Sequence, residues 1–347
     1  MISQITELTL RAAFCLEQRE FDLIYGPDER REIAKMTALA APLVTRDYLR
    51  ANPEALADID VIFSGWGGLR IDDEFLKHAP ALKLVLYGAG SLSPVATYFA
   101  WERGVRFCSA AYGNSIPVAE YALAAILLGL KHVWHQVGFS KAHKRWTGHY
   151  AAPGAYRSVV GVTSLGMIAR ILIEKLKSFD LEVIAYDPFV PAEEAQQLGV
   201  ELVSLRDLFS NSDAISIHTP LLPETRGLIT GELISSMKQG ATLINTSRGA
   251  VIQEPEMLAV AAQRSDLQFV LDVTDPEPPV AGSRIFDLPN VITTPHIAGS
   301  MGRECQRMGR LMLDELRRYV AGEPLQYEIT AEMAKHSIHR PAGAALQ

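Results

Sequence analysis

Two stretches decide the fold: Arg157-Ser158-Val159-Val160-Gly161-Val162-Thr163-Ser164-Leu165-Gly166-Met167-Ile168-Ala169, and further on Leu181-Glu182-Val183-Ile184-Ala185-Tyr186-Asp187. Arg157–Thr163 is an apolar strand pattern. Ser164–Ala169 is a glycine-bearing turn that opens a helix, because Ile168, Leu172, Leu176 and Phe179 recur on one helical face. A second strand pattern follows and ends on an acid. Strand, turn, helix, strand and acid make up the layout of a dinucleotide site. Backbone amides at the helix start meet the pyrophosphate, and the acid bonds the ribose hydroxyls. The glycine pattern is incomplete. Ser164 stands in the first glycine place, where glycine relieves a tight turn, and Ala169 in the third, where close packing is all that is needed. On this motif alone a cofactor site and an ordinary βαβ unit remain equally open. Asp187 would repel a 2′-phosphate, which favours NAD over NADP; a plain turn cap is its alternative reading.

Working outward, the β-then-α alternation runs from Ser158 to about Ser300, and four more strand patterns each end in reactive residues. Ala214–Ile217 runs into His218-Thr219-Pro220, and Thr242–Ile244 into Asn245-Thr246-Ser247-Arg248-Gly249. Phe269–Leu271 runs into Asp272-Val273-Thr274-Asp275-Pro276-Glu277-Pro278, and Val291–Thr293 into Thr294-Pro295-His296-Ile297-Ala298-Gly299. In open parallel sheets ligands bind beyond the carboxyl ends of the strands, where these residues fall.

Earlier in the chain, Asp60–Phe63 and Leu82–Leu86 read as buried strands entering the glycine-bearing loops Ser64–Gly68 and Tyr87–Ser91. A polar, proline-bearing connection over Asn114–Glu120 leads into an apolar helix from Val118 to about Val133, read as the passage between domains. The helical set Met308, Leu311, Met312, Leu316 and Tyr319 returns to the first domain, and no structure is assigned to the tail after Glu332. The expected fold is α/β: two Rossmann-like or flavodoxin-like domains with parallel sheets, cofactor and substrate lying in the cleft between them. Residues 1–113 plus 304–347 form the substrate domain and 114–303 the NAD-binding domain.

Composition narrows the function classes. Over 347 residues the hydrophobic share is 48%, enough for two cores. The apolar stretch Tyr121–Leu130 is too short to span a bilayer, so no membrane partner is expected. Met1–Leu10 has no basic segment followed by an apolar one, so no signal peptide is read. Cys15, Cys108 and Cys305 lie far apart without metal-ligand or CxxC spacing, so no metal is expected and a reduced, cytoplasmic setting fits. The balance of 33 basic and 40 acidic residues, net −7, argues against a nucleic-acid surface.

The segments His218-Thr219-Pro220-Leu221-Leu222-Pro223-Glu224-Thr225-Arg226-Gly227, Asn245–Gly249, Asp272–Pro278 and Thr294–Gly299 together resemble the NAD-dependent D-2-hydroxyacid dehydrogenase family, with its phosphoglycerate and glyoxylate–hydroxypyruvate reductase-like branches. The resemblance covers Tyr87 to Pro324, with little signal before Tyr87. It implies an oxidoreductase that transfers a hydride between NAD(H) and a 2-oxoacid or D-2-hydroxyacid. Arg248 would hold the substrate carboxylate with its charged fork, His296 would exchange the proton of the carbonyl oxygen, and Glu277 would pair with His296, orienting it and favouring its charged form. Gly88, Ala89 and Gly90 would offer backbone amides to the substrate alongside Arg248 and His296. The cofactor would lie against Ser164, Gly166, Met167, Ile168, Asp187, His218, Thr219, Pro220, Thr225, Thr246, Asp272, His296 and Gly299, with Asp272 bonding the nicotinamide carboxamide. A homodimer is implied, with Trp134, His135 and Trp146 near the partner or, equally, in the core.

Each residue alone has a plainer reading: Arg248 a surface arginine, His296 a hydrogen-bonded structural histidine, Glu277 a solvated loop acid, Asp272 a turn cap. Their joint order argues against those readings. Two alternatives stay open, an NAD(H)-sensing corepressor-like protein on the same fold and a formate or phosphite oxidase of the same superfamily.

Overall fold

The apolar runs form two all-parallel sheets in a computed structural model that describes residues 10–146 and 152–334. The chain divides into two units, one containing the residues up to Asn114 and from Ser300 on, the other Ser115–Gly299.

In the first unit the strands are β1 (Arg11–Phe14), β2 (Ala38–Leu39), β3 (Val61–Ser64), β4 (Leu84–Tyr87) and β5 (Arg106–Ser109), in the order β2-β1-β3-β4-β5. The order reverses between β1 and β3, the switch point of a flavodoxin-like sheet. Successive side chains point to opposite faces. Ile62, Val85, Tyr87 and Phe107 therefore enter one core, while Val61, Phe63, Leu84 and Leu86 enter the other. The helix Glu304–Ala321 closes the second core with Met308, Met312 and Leu316. Gly309 permits this contact, since a Cβ there would lie 2.1 Å from the Ile24 carbonyl oxygen.

The second unit contains β6 (Val159–Thr163), β7 (Glu182–Tyr186), β8 (Glu201–Leu202), β9 (Ala214–Ile217), β10 (Thr242–Asn245), β11 (Gln268–Leu271) and β12 (Val291–Thr293), in the order β12-β11-β10-β9-β6-β7-β8. This is a doubly wound sheet whose order reverses between β6 and β9, so the loops leaving these strands flank the switch-point crevice.

The passage between units differs from its reading as a polar connection. Asn114–Glu120 lies inside one continuous helix, Ala111–Gly129, with Pro117 in its interior. Proline removes one N–H from the helical ladder. Here burial of Ala119, Ala122, Ala125 and Ile126 in the core beside β6 outweighs that loss. The helix also stops at Gly129 rather than near Val133: His132 takes a left-handed φ of 52° and starts a new helix, Val133–His143. Its ring Nε2 meets the Gly240 carbonyl oxygen at 2.7 Å, which fixes the break.

Among the described residues no single helix is long and apolar enough to cross a membrane. The two helices on either side of His132 pass that test only as a pair bent by 58°. The reading of Met1–Leu10 falls, but for Leu10, outside the described residues, as does most of the tail after Glu332; Ala331–Ala334 is a short helix.

Candidate functional site

The turn after β6 is built as a nucleotide loop in spite of its serine. Ser164 adopts φ +64°, the left-handed conformation that glycine would take without strain. Its N–H closes onto the Tyr186 carbonyl at 2.7 Å, and its hydroxyl reaches Thr219 Oγ1 at 3.3 Å. Thr219 donates in turn to Thr163 Oγ1 at 2.9 Å, so the hydroxyls tie the loops after β6 and β9 together. The helix Met167–Leu176 starts with no side-chain cap, and the amides of Gly166, Met167 and Ile168 have no acceptor among the described residues. A Cβ on Gly166 would meet nothing within 4 Å. Unfilled donors, an open approach and the positive end of a ten-residue helix suit a pyrophosphate.

Asp187 holds this loop in place. Its carboxylate accepts the N–H of Leu165 at 2.7 Å on Oδ2, and those of Phe189 at 2.8 Å and Val190 at 3.1 Å on Oδ1. The acid thus caps the turn, and Oδ2 keeps capacity for a further hydroxyl donor. Two buried polar atoms on neighbouring strand ends have no partner among the described residues: His218 Nδ1 and Thr246 Oγ1. Buried polar groups are normally paired, so orphans beside a nucleotide loop mark places where a ligand completes the bonding. His218 Nε2 meets Ser216 Oγ at 2.9 Å, and burial pushes this imidazole down to about 4, keeping it neutral. Thr225 binds its own loop, donating to the Pro220 carbonyl at 2.5 Å and accepting the Leu222 N–H at 2.7 Å. The donor set and the orphaned atoms fit a dinucleotide.

The ends of β10, β11 and β12 are neighbours in the sheet and carry the ionisable residues. His296 Nδ1 and Glu277 Oε1 lie 2.6 Å apart, and both side chains are nearly half exposed. His296 stands at φ +54°, an uncommon conformation for a side-chain-bearing residue. Arg248 is exposed; its Nη1 donates to the Ser247 carbonyl at 2.7 Å, and it pairs with no carboxylate among the described residues. The structure brings Glu277 and His296 into contact and leaves Arg248 on the adjacent strand end, free for an anion. Asn245, unassigned from sequence, sets the backbone there: its Nδ2 donates to the Arg248 carbonyl at 3.1 Å, and its Oδ1 accepts from Ser247 N and Oγ. Gly249 lets the loop after β11 approach, since a Cβ there would lie 2.0 Å from the Thr274 carbonyl carbon.

Asp272 is buried, and its carboxylate is largely engaged within the protein. Oδ1 accepts Thr294 Oγ1 at 2.6 Å and Ile297 N at 2.8 Å, while Oδ2 accepts Ala298 N at 2.9 Å. A carboxamide could claim only the remaining capacity of Oδ2. Gly299 ends this segment, at the boundary of the unit.

In the first unit the Gly88–Gly90 loop follows β4. The amides of Gly88 and Ala89 are not free donors: Gly88 N bonds Ser64 O and Ala89 N bonds Tyr87 O, each at 2.8 Å. This corrects the expected set of three, because Gly88 N extends the ladder between β3 and β4 and Ala89 N closes a tight turn onto Tyr87. Only Gly90 keeps an N–H without an acceptor among the described residues. Gly88 is required on packing grounds, as a Cβ would lie 2.6 Å from Ile24 Cγ2. In the second unit Trp134 packs partly into the core beside β6, whereas Trp146 is 88% exposed.

Comparison with known proteins agrees with this geometry. Residues 123–298 match the model of the D-isomer specific 2-hydroxyacid dehydrogenase, NAD binding domain. The chain is similar to the D-3-phosphoglycerate dehydrogenase of Mycobacterium leprae (strain TN), 34% identical over 254 residues, covering 73% of this chain and 48% of the relative. It is also similar to that of Archaeoglobus fulgidus, 30% identical over 258 residues, covering 74% and 49%. The chain thus spans about half the length of these curated relatives. In fold it resembles the apo D-mandelate dehydrogenase of Rhodotorula graminis, with a TM-score of 0.77 at 22% identity over 92% of this chain and 97% of that one. A D-2-hydroxyisocaproate dehydrogenase gives 0.74 at 22% identity, over 93% and 100%.

Proposed function

The chain belongs to the D-isomer specific 2-hydroxyacid dehydrogenase family and carries its NAD-binding domain, and from that premise we propose that it interconverts a 2-oxoacid and a D-2-hydroxyacid. The observation that carries the reading is the 2.6 Å contact between Glu277 and His296, with Arg248 on a neighbouring strand end and paired with no carboxylate among the described residues. NAD would be held by the amides of Gly166, Met167 and Ile168, by Asp187, and by the unpartnered atoms of His218 and Thr246. The chemistry that NAD(H) would supply when bound is hydride transfer to or from carbon 2 of the acid.

The side chains supply the rest. Arg248 takes the substrate carboxylate in its two-pronged fork, which fixes the carbonyl for attack. Nδ1 of His296 faces Glu277, so Nε2 is the ring atom left to meet the substrate. In reduction Nε2 gives its proton to the carbonyl oxygen as the new C–H bond forms, yielding the hydroxyl. The imidazole is left neutral, its Nδ1–H still donated to Glu277. Oxidation reverses each transfer. Glu277 orients the imidazole through its contact with Nδ1.

The finer reading includes a cytoplasmic homodimer. Three buried cysteines without disulfides support the reducing compartment. Exposed Leu128, Val137 and Trp146, on and just after the paired helices, support an apolar contact with a second copy. The test is oxidation of NADH and NADPH against a panel of 2-oxoacids. Turnover with NADH at a rate well above that with NADPH is expected. NADH binding without turnover on any 2-oxoacid would overturn the reading.

A further inference from the structure

The turn that presents His296 is anchored at a distance. Thr294 Oγ1 donates to Asp272 Oδ1 at 2.6 Å, and Tyr121 Oη lies 2.8 Å from the same Thr294 oxygen. The proton directions follow from the chemistry of the groups. Asp272 also accepts the N–H of Ile297 and of Ala298, so its carboxylate acts as acceptor, and the single hydroxyl proton of Thr294 goes to it. Tyr121 must therefore be the donor to Thr294. Burial holds its phenol above the usual range, and it remains a neutral O–H donor. The main-chain carbonyl of Asp272 accepts the N–H of His296 at 3.0 Å, so His296 hangs from the residue at which the relay ends.

We propose that Tyr121, on the helix Ala111–Gly129, is a positioning residue for the reaction, setting the left-handed turn of His296 through Thr294 and Asp272. This rests on the assignment of His296 as the proton-transfer group. A left-handed residue keeps its conformation only where its surroundings over-determine it. Asp272 provides that constraint with its carbonyl and both carboxylate oxygens, and Tyr121 fixes the hydroxyl that orients the carboxylate. The relay reaches His296 through the backbone carbonyl of Asp272, so it acts through the aim of Nε2.

Two arms test it. In hydrogen–deuterium exchange on the full chain without substrate, Tyr121→Phe should quicken exchange of the 294–298 segment about 5-fold, the effect of one lost net hydrogen bond. In kinetics, Tyr121→Phe should lower kcat about 5-fold with KM for the oxoacid unchanged, because the lost alignment matters in the transition state. Thr294→Val should do at least as much, Thr294→Ser should restore the parental rate, and Tyr121→Phe should add nothing on a Thr294→Val background. Unchanged exchange in folded Tyr121→Phe overturns the relay, as do losses that multiply in the double variant. A parental enzyme without turnover on any oxoacid removes the proposed function, while the exchange arm still decides whether the relay exists.

Discussion

Two of the turns that follow strands of the second unit place a side-chain-bearing residue in the left-handed region, Ser164 after β6 and His296 after β12, and they are held in different ways. Ser164 fills a place that glycine would occupy at no cost, and its hydroxyl makes only a 3.3 Å bond to Thr219. His296 carries a side chain the chemistry needs, and Asp272 holds its turn with four hydrogen bonds: His296 N to the carbonyl, and Thr294 Oγ1, Ile297 N and Ala298 N to the carboxylate. The first turn is tied at Ser164 N to Tyr186 and at Leu165 N to Asp187, whereas the second has all four of its bonds gathered on one residue. A strained residue points to function where the surrounding bonds exceed what the turn alone needs.

Removing the constraint at the second turn should have the largest effect. Asp272→Ala leaves the Thr294 hydroxyl and two amides without their acceptor, so stability should fall by about 3 kcal/mol. Urea unfolding against the parent measures this; a loss under about 1 kcal/mol would place the constraint elsewhere.

A middle-sized effect belongs to His218, whose N–H binds Thr163 Oγ1 beside the first turn. Burial lowers its pKa to about 4, below the ordinary value of about 6.5 for the unfolded chain. The unfolded state then binds more protons than the folded one. Stability is intact above pH 6.5 and is lost as the pH falls from 6.5 toward 4. His218→Asn should therefore lose less Tm than the parent over that window, by several °C. Parallel Tm–pH curves would mean that His218 titrates alike in both states.

Ser164→Gly should give the smallest change. Relief of the left-handed backbone is partly offset by the greater freedom of glycine in the unfolded chain, so the gain should stay under about 1 kcal/mol. Destabilisation instead would show that the bond to Thr219 matters more than the strain.

The same contrast explains what the sequence discloses. The strands β9 to β12 are legible because each is a short apolar run that breaks abruptly into polar residues. β2 and β8 are two residues long and exposed or half-buried, and β1 includes two alanines, so none carries a strong pattern. Asn114, Ser115 and Pro117 make the start of the Ala111–Gly129 helix look like a loop, since their local preferences oppose the packing that decides the matter. Arg248, Glu277 and His296 stand out by residue type and by resemblance. Tyr121, Thr294 and Asn245 do not, because their roles exist only once distant segments meet. The Gly88–Gly90 loop is visible, but which of its amides stay free depends on how the chain turns after β4.

The most direct test of the central claim compares the parent with His296→Gln in NADH-dependent reduction of the best 2-oxoacid, with NADH binding measured in parallel. A kcat lower by about 10²–10⁴-fold is expected, with NADH affinity retained. A variant that turns over at the parental rate would contradict it.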